Sequence, residues 1–264
     1  MAAAHGARTL MDLTAVVFLV LGLLVGSFLN VCIYRLPRHE SVNWPASHCT
    51  ACGRTLSWYE NVPLVSWIVL RGRCRSCRER ISAIYPVVEA ITGIVFLTAY
   101  ELYGLSPLLF VRVAFACAMI VLFAIDLRHR ILPNVITVSG IVVGFVAALW
   151  LPPGWESSLI GLVSGGGVLF LIGEAYYRAR GVEGMGMGDV KMLAMIGAFL
   201  GWPLMLLTLI LASFSGGIVG VGMIASGRGG AKAALPFGTF LAVGALVAAV
   251  AGQPIVDWYL GFFR

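Results

Sequence analysis

Eight apolar runs, most of them near the ~20 residues that a helix needs to cross a bilayer, occupy this chain from Leu13 almost to its end. They extend from Leu13 to Tyr34, Tyr85 to Tyr103, Leu108 to Ile125, Leu132 to Trp150, Ser158 to Tyr177, Val190 to Leu200, Met205 to Ala225 and Leu235 to Ala251. No soluble core absorbs so much apolar surface. Of 264 residues, 60% are hydrophobic and 11% charged, and the mean hydropathy is +0.95. These values exclude a secreted disulfide scaffold, a disordered chain and a soluble nucleotide-binding domain. The fold class is all-α and polytopic, with about eight transmembrane helices. The first run is too long for a signal peptide and lacks a small-residue cleavage site, so it reads as a retained anchor. The sixth is short and needs Gly201 and Trp202, or residues from Met185 to Asp189, to approach a full crossing.

The segment between the first two runs differs in kind. Residues 35–84 hold eight arginines, four of the six cysteines, and Glu40, Glu60 and Glu79. The organisation is therefore a first transmembrane helix over 1–34, a tetracysteine domain over 35–84 and a seven-helix membrane domain over 85–264. Alternating the loops across the bilayer puts fifteen Lys/Arg on one face and only Arg8, Arg112 and Arg264 on the other. Basic loops stay in the cytoplasm, so the tetracysteine loop faces inward and both termini outward. The net charge of +6 is thus used in setting topology, and no nucleic-acid partner is expected.

Cys49-Thr-Ala-Cys52 and Cys74-Arg-Ser-Cys77 are two C-x-x-C pairs 21 residues apart. Four thiolates at this spacing close a tetrahedral zinc shell of the zinc-ribbon type. Two disulfides are the alternative, disfavoured in a reducing cytoplasm. Four protein ligands leave no open position for water, so the expected metal is structural. Cys32 and Cys117, inside apolar runs, read as small packing residues. Glycine pairs four residues apart, Gly22/Gly26, Gly140/Gly144, Gly161/Gly165 and Gly216/Gly220, predict close helix contacts.

Ionisable groups in apolar segments are costly and point to function. Here they are Glu89, Asp126, Glu174 and Asp189. Asp126 ends the third run and Asp189 begins the sixth, and the topology sets both at one membrane face. Two carboxylates that share a proton activate water with one oxygen and polarise a carbonyl with the other. Singly, each has a plainer reading: Asp189 as a helix N-cap, Asp126 as a partner of Arg128 or Arg130. Glu89 and Glu174 either line a polar cavity or are structural, and Lys191 reads as a topology anchor.

The ordered motifs resemble the type IV prepilin peptidases of bacterial inner membranes. Those carrying the likeness include Gly26-Ser-Phe-Leu-Asn-Val31, Ile33-Tyr-Arg-Leu-Pro37, the tetracysteine loop with Asn61-Val-Pro-Leu-Val-Ser-Trp67, and Tyr85-Pro86 with Glu89. They continue through Leu132-Pro133-Asn134, Gly184-Met-Gly-Met-Gly-Asp-Val-Lys191 and Pro236-Phe-Gly238. The resemblance implies an aspartyl endopeptidase with catalytic Asp126 and Asp189, the latter in a G-x-G-D signature. It implies cleavage of type IV prepilin or pseudopilin leaders after a glycine, on the cytoplasmic side of the inner membrane. It also implies methylation of the new N-terminus from S-adenosylmethionine, for which no residues are assigned. The first cysteine pair departs from the family in lacking proline after its first cysteine, and Ile84 stands where arginine is frequent. The loop arginines are expected to meet membrane lipids. The competing readings are an ion-coupled transporter using the same carboxylates and a secretion-machine scaffold docking through the zinc loop.

Overall fold

The computed structural model describes residues 2–181, 186–226 and 235–262. Eight α-helices carry the described chain: α1 (Ala2–Arg35), α2 (Val65–Val69), α3 (Ile84–Tyr103), α4 (Pro107–His129), α5 (Asn134–Ala148), α6 (Trp155–Arg180), α7 (Met187–Ala225) and α8 (Phe237–Gly261). Among the described residues no strand forms beyond two isolated antiparallel bridges, His48 with Thr55 and Arg73 with Arg80.

Six helices are long and apolar enough to cross a membrane, α7 being counted once, while α5 is shorter. Two of the eight apolar runs, the sixth and seventh, lie together in α7. They are separated at Gly201, whose φ of 78° and ψ of 171° are not helical. Glycine tolerates that φ without a Cβ clash, and Pro203 lacks the N–H that would bond back across the break. The halves 187–200 and 202–225 are thus distinct apolar segments. Exposed faces along the helices carry Val142, Val163, Ile218 and Val221, which a bilayer solvates and water does not. This is a multi-pass membrane protein.

The chain divides into two compact units, residues 1–121 and 122–264. In the first, α1 lies against α3. A Cβ on Gly22 would come 2.8 Å from Gly93 Cα, and one on Gly26 would come 2.7 Å from Glu89 Cα, so the small-residue pair brings the two backbones together as expected. Phe18, Phe96, Ala99 and Leu109 form the buried cluster beside them. Asn30 Nδ2 donates to Tyr85 O at 3.0 Å, and buried Arg35 donates to the carbonyls of Ser41 and Pro45 at 2.9 and 2.6 Å. These bonds fix where the loop leaves and re-enters the helices.

In the second unit α7 packs against α5, α6 and α8. From Met192 to Gly201 it is buried all round, with Met192, Leu193, Met195 and Ile196 sealed from solvent, as expected of a helix apolar on every side. Gly161 and Gly165 of α6 face the backbone of α7: added Cβ atoms would meet Gly197 O at 2.6 Å and Leu193 O at 2.8 Å. Ser158 Oγ donates to Ala198 O at 2.7 Å. Gly144 of α5 is similarly pressed on Phe199. Such contacts set the height of α7, and with it the position of Asp189.

Candidate active site and metal centre

The end of α4 and the starts of α5, α7 and α8 supply one polar cluster in the second unit. Asp126 is buried in the last turn of α4. Its Oδ2 accepts hydrogen bonds from Thr239 N at 2.7 Å and Thr239 Oγ1 at 3.0 Å. Thr239 lies in the first turn of α8, directly after Pro236, Phe237 and Gly238. The amides of a helix start have no partner within the helix, and the dipole there favours negative charge. Thr239 N also reaches Pro236 O at 3.3 Å, and Asp126, from another helix, supplies its shorter bond and the negative charge. Gly238 makes the approach feasible, since a Cβ there would lie 3.0 Å from Asp126 Oδ2.

Asp189 lies in the first turn of α7, half-buried. It is not the N-cap; Gly186 holds that position, and Asp189 N donates to Gly186 O at 3.1 Å. The plainer reading of Asp189 therefore fails, because the chain turns into the helix three residues earlier. The carboxylates of Asp126 and Asp189 lie close enough for their charges to act on each other. Asp126 also feels the charge of Arg130, but its hydrogen bonds go to Thr239 and not to Arg128 or Arg130. Gly184, the first glycine of the G-x-G-D signature, falls outside the described residues.

Leu132 packs between the two helix starts, 3.0 Å from added Cβ atoms at both Gly188 and Gly238. Lys191 Nζ donates to Asn134 Oδ1 at 2.9 Å, tying α7 to α5. Glu174 is partly exposed and pairs with Arg178 at 2.7 Å one turn on. Glu89, in the first unit, accepts the backbone N–H of Leu64 at 2.9 Å. Thr239 and Gly238 received no role from sequence reasoning. Gly238 stands in the Pro236-Phe-Gly238 motif of the resemblance, and Thr239 follows it as a hydroxyl in the first turn of a proline-led helix, which says nothing of a partner 113 residues away.

The tetracysteine loop, in the first unit, builds two matching knuckles. Gly53 N donates to Cys49 O and Cys49 N to Arg54 O, both at 2.9 Å; Arg78 N donates to Cys74 O at 3.0 Å and Cys74 N to Glu79 O at 2.8 Å. The turn residues Gly53 and Arg78 have φ of 72° and 61°. All four Sγ atoms lie within 4.8 Å of one another, none in a disulfide, and Cys49 Sγ stands 3.8 Å from Cys77 Sγ. Metal–sulfur bonds of about 2.3 Å in a tetrahedron require sulfur separations of about 3.8 Å, so the set fits such an ion. The N–H groups of Cys77 and Ser76 point at Cys74 and hold its thiol down to about 6, favouring the thiolate a metal needs. Beside the knuckles, the Ser57 N–H and the Arg54 guanidinium keep the Glu60 carboxyl below its usual range.

Residues 20–103 match the model of the bacterial peptidase A24 N-terminal domain, and residues 113–221 match that of the type IV leader peptidase family. Curated proteins named prepilin leader peptidase/N-methyltransferase are similar along most of the chain. The one from Pseudomonas putida is 35% identical over 89% of this chain and 90% of its own length. The one from Pseudomonas aeruginosa is 33% identical over 92% of each, and the one from Myxococcus xanthus 41% identical over 83% of this chain and 66% of its own length. The chain belongs to the type IV leader peptidase family. In this leader peptidase homologue the N-terminal match contains all four clustered cysteines, and the second match contains both aspartates. Thr239 lies beyond both. Membership in this family does not favour the transporter or scaffold readings. No solved structure matches the chain.

Proposed function

We propose that this protein is an aspartic endopeptidase that removes the leader from type IV prepilins or pseudopilins, with Asp126 and Asp189 as its catalytic pair. The observation that carries this reading is the nearness of the two carboxylates at helix ends, within reach of each other's charge, with donors on only one of them among the described residues. Asp126 Oδ2 is held by the N–H and O–H of Thr239, which suits it to carry the charge. Its other oxygen takes a proton from water. Asp189, with no hydrogen bond to its carboxyl among the described residues, carries the shared proton and donates it toward the scissile carbonyl oxygen.

Water attacks that carbonyl as Asp126 accepts its proton, giving a tetrahedral diol. Collapse breaks the C–N bond, with Asp126 returning the proton to the leaving amine and Asp189 recovering its own from the diol hydroxyl. The products are the leader, with a new carboxyl end, and a pilin with a free amine. Gly188 and Gly238 flank the pair, and the space their missing side chains leave is filled by Leu132 and, at Gly238, by Asp126 itself, so these glycines let the helix starts close on the carboxylates.

Zinc is the ion we assign to Cys49, Cys52, Cys74 and Cys77. With four protein ligands it holds the loop together and does no hydrolysis. We place the loop and the aspartate pair on the cytoplasmic side of the inner membrane, following the excess of basic residues there. The second activity is methylation of the new amine, with S-adenosylmethionine supplying the methyl group. The names of the relatives support it. Among the described residues no cluster is assigned to the donor, and no step above runs through it.

The test is mass spectrometry of a prepilin N-terminus after incubation with the purified protein, with and without S-adenosylmethionine. Loss of the leader in both, and one added methyl only with the donor, is the expected result. An intact prepilin in both would overturn the reading.

A further inference from the structure

The short helix α2 is neither part of the aspartate site nor a metal ligand, and its outer face is apolar. Val65, Ile68 and Val69 are 56%, 66% and 73% exposed. In a water-facing loop this patch would be a liability. We infer that α2 lies in the acyl–headgroup boundary of the bilayer with Val65, Ile68 and Val69 turned into lipid, so that the tetracysteine loop is seated on the membrane surface.

Depth is the first argument. Leu64, the residue before α2, donates its N–H to Glu89 Oε2 at 2.9 Å. Glu89 lies five residues into the spanning helix α3, which begins at Ile84, and so about 7–8 Å along its axis. The start of α2 is therefore pinned inside the level at which α3 enters the membrane. Asn30 bonded to Tyr85 O shows α1 and α3 entering in register there.

Backbone satisfaction is the second, and it is independent of the first. Non-helical chain persists at membrane depth only where its polar groups are paired. From Leu64 to Arg73 most of the amides are. Val65 N donates to Pro63 O, Ser66 N to Val62 O, Ile68 N to Leu64 O, Leu70 N to Ser66 O, Arg71 N to Ile68 O, Gly72 N to Trp67 O and Arg73 N to Leu70 O. The N–H of Leu64, which the turn does not serve, takes the Glu89 carboxylate. This gives a buried acid in α3 a reason to exist that is separate from catalysis. Trp67 points the other way, its indole N–H bonded to Ile81 O at 3.3 Å and its ring against Gly72, so the inner face of α2 is the packed one.

Charge is the third. Arg71, Arg73, Arg75, Arg78 and Arg80 follow α2 directly and are exposed, and none is in an ion pair among the described residues. Arg75 reaches the Tyr59 hydroxyl; arginines without an acidic partner beside an embedded apolar face match anionic lipid headgroups. Both ends of the loop are spanning helices, so the surface within reach is the bilayer itself.

The test places an environment-sensitive fluorescent amino acid at Ile68 in the full-length protein, reconstituted in vesicles containing phosphatidylglycerol. Ile68 is unpacked, so the probe displaces nothing. The same probe at Ile94, an exposed position midway along α3, sets the value for full lipid contact. Quenching by lipids brominated on their acyl chains should be several-fold stronger than quenching by aqueous iodide, approaching the ratio at Ile94. Iodide quenching with no effect of brominated lipid would overturn the inference. Shielding from iodide that arises only when a prepilin is added would also overturn it, and would assign the face to substrate.

Discussion

The tetracysteine loop and the aspartate pair are two clusters of four and two acidic groups built on opposite principles. The loop is made by short-range chain geometry. Each knuckle closes on itself through amide–carbonyl bonds no more than five residues apart, and the four sulfurs gather within 4.8 Å of one another. The aspartate pair is made by tertiary packing, from residues 63 positions apart, and it is asymmetric: Asp126 takes two donors from α8 while Asp189 takes none among the described residues. Two matching, self-closing knuckles suit a site whose work is to hold an ion. Asymmetry suits one in which two chemically identical groups must play different parts.

The largest effect should come from removing that division of labour. Asp126→Asn or Asp189→Asn is expected to lower prepilin cleavage by about 10²–10⁴-fold or more, the range of a lost general acid or base. Metal content should be unchanged, because the two sites are built separately. Gel-based cleavage with metal analysis of the same preparation reads both. Appreciable cleavage by either single variant would break the comparison. Protonating both carboxyls also removes the base, so cleavage should fall as pH drops, and a flat acid-side profile would contradict the pairing.

Next in size is Cys74→Ser, or stripping the metal with a chelator. Either should abolish metal binding and raise amide exchange through residues 48–55 and 73–80, since ligand binding and local folding are one free energy in such loops. Cleavage should be hurt less than by the aspartate changes, and methylation more than cleavage. Purified protein with no zinc at all would remove the premise.

How much of this was legible in the sequence follows the same division. The eight apolar runs and the C-x-x-C spacing are one-dimensional patterns, set by bilayer thickness and by coordination geometry, and they needed no fold to be read. The break at Gly201 was half legible, through Gly201-Trp202-Pro203 after a run too short to cross. Asp126 and Asp189 stood out because charge is rare in apolar segments, and topology put them at one level. The donors to Asp126 did not stand out, because an amide at a helix start carries no mark of what it will meet. Glu89 was visible as a buried acid but not as the acceptor of Leu64, for the same reason. The N-cap reading of Asp189 failed because a cap is defined by where φ and ψ change, and that happens at Gly186.

A smaller effect tests the asymmetry directly. Thr239→Val keeps the backbone N–H on Asp126 but deletes the hydroxyl donor, a bond of about 0.5–1.5 kcal/mol. Cleavage should fall roughly 2–13-fold, in kcat more than in KM, and Thr239→Ser should restore most of it. If Val and Ser variants are alike, the hydroxyl does not position the base.

The smallest effect belongs to Lys191, the cation nearest in sequence to Asp189. Were it an electrophile at the scissile carbonyl, its loss would rival that of an aspartate. Its ammonium is instead directed to Asn134 Oδ1 at the start of α5, in an exposed position, and exposed polar pairs contribute about 0.2–1 kcal/mol. Lys191→Met should therefore change kcat by no more than roughly two- to fivefold, and Asn134→Ala should have the same small effect, because the two changes delete one bond. Combining them should cost no more than either alone. A loss above a hundredfold for Lys191→Met, with Asn134→Ala silent, would mean that the lysine reaches the substrate and that two carboxylates do not suffice.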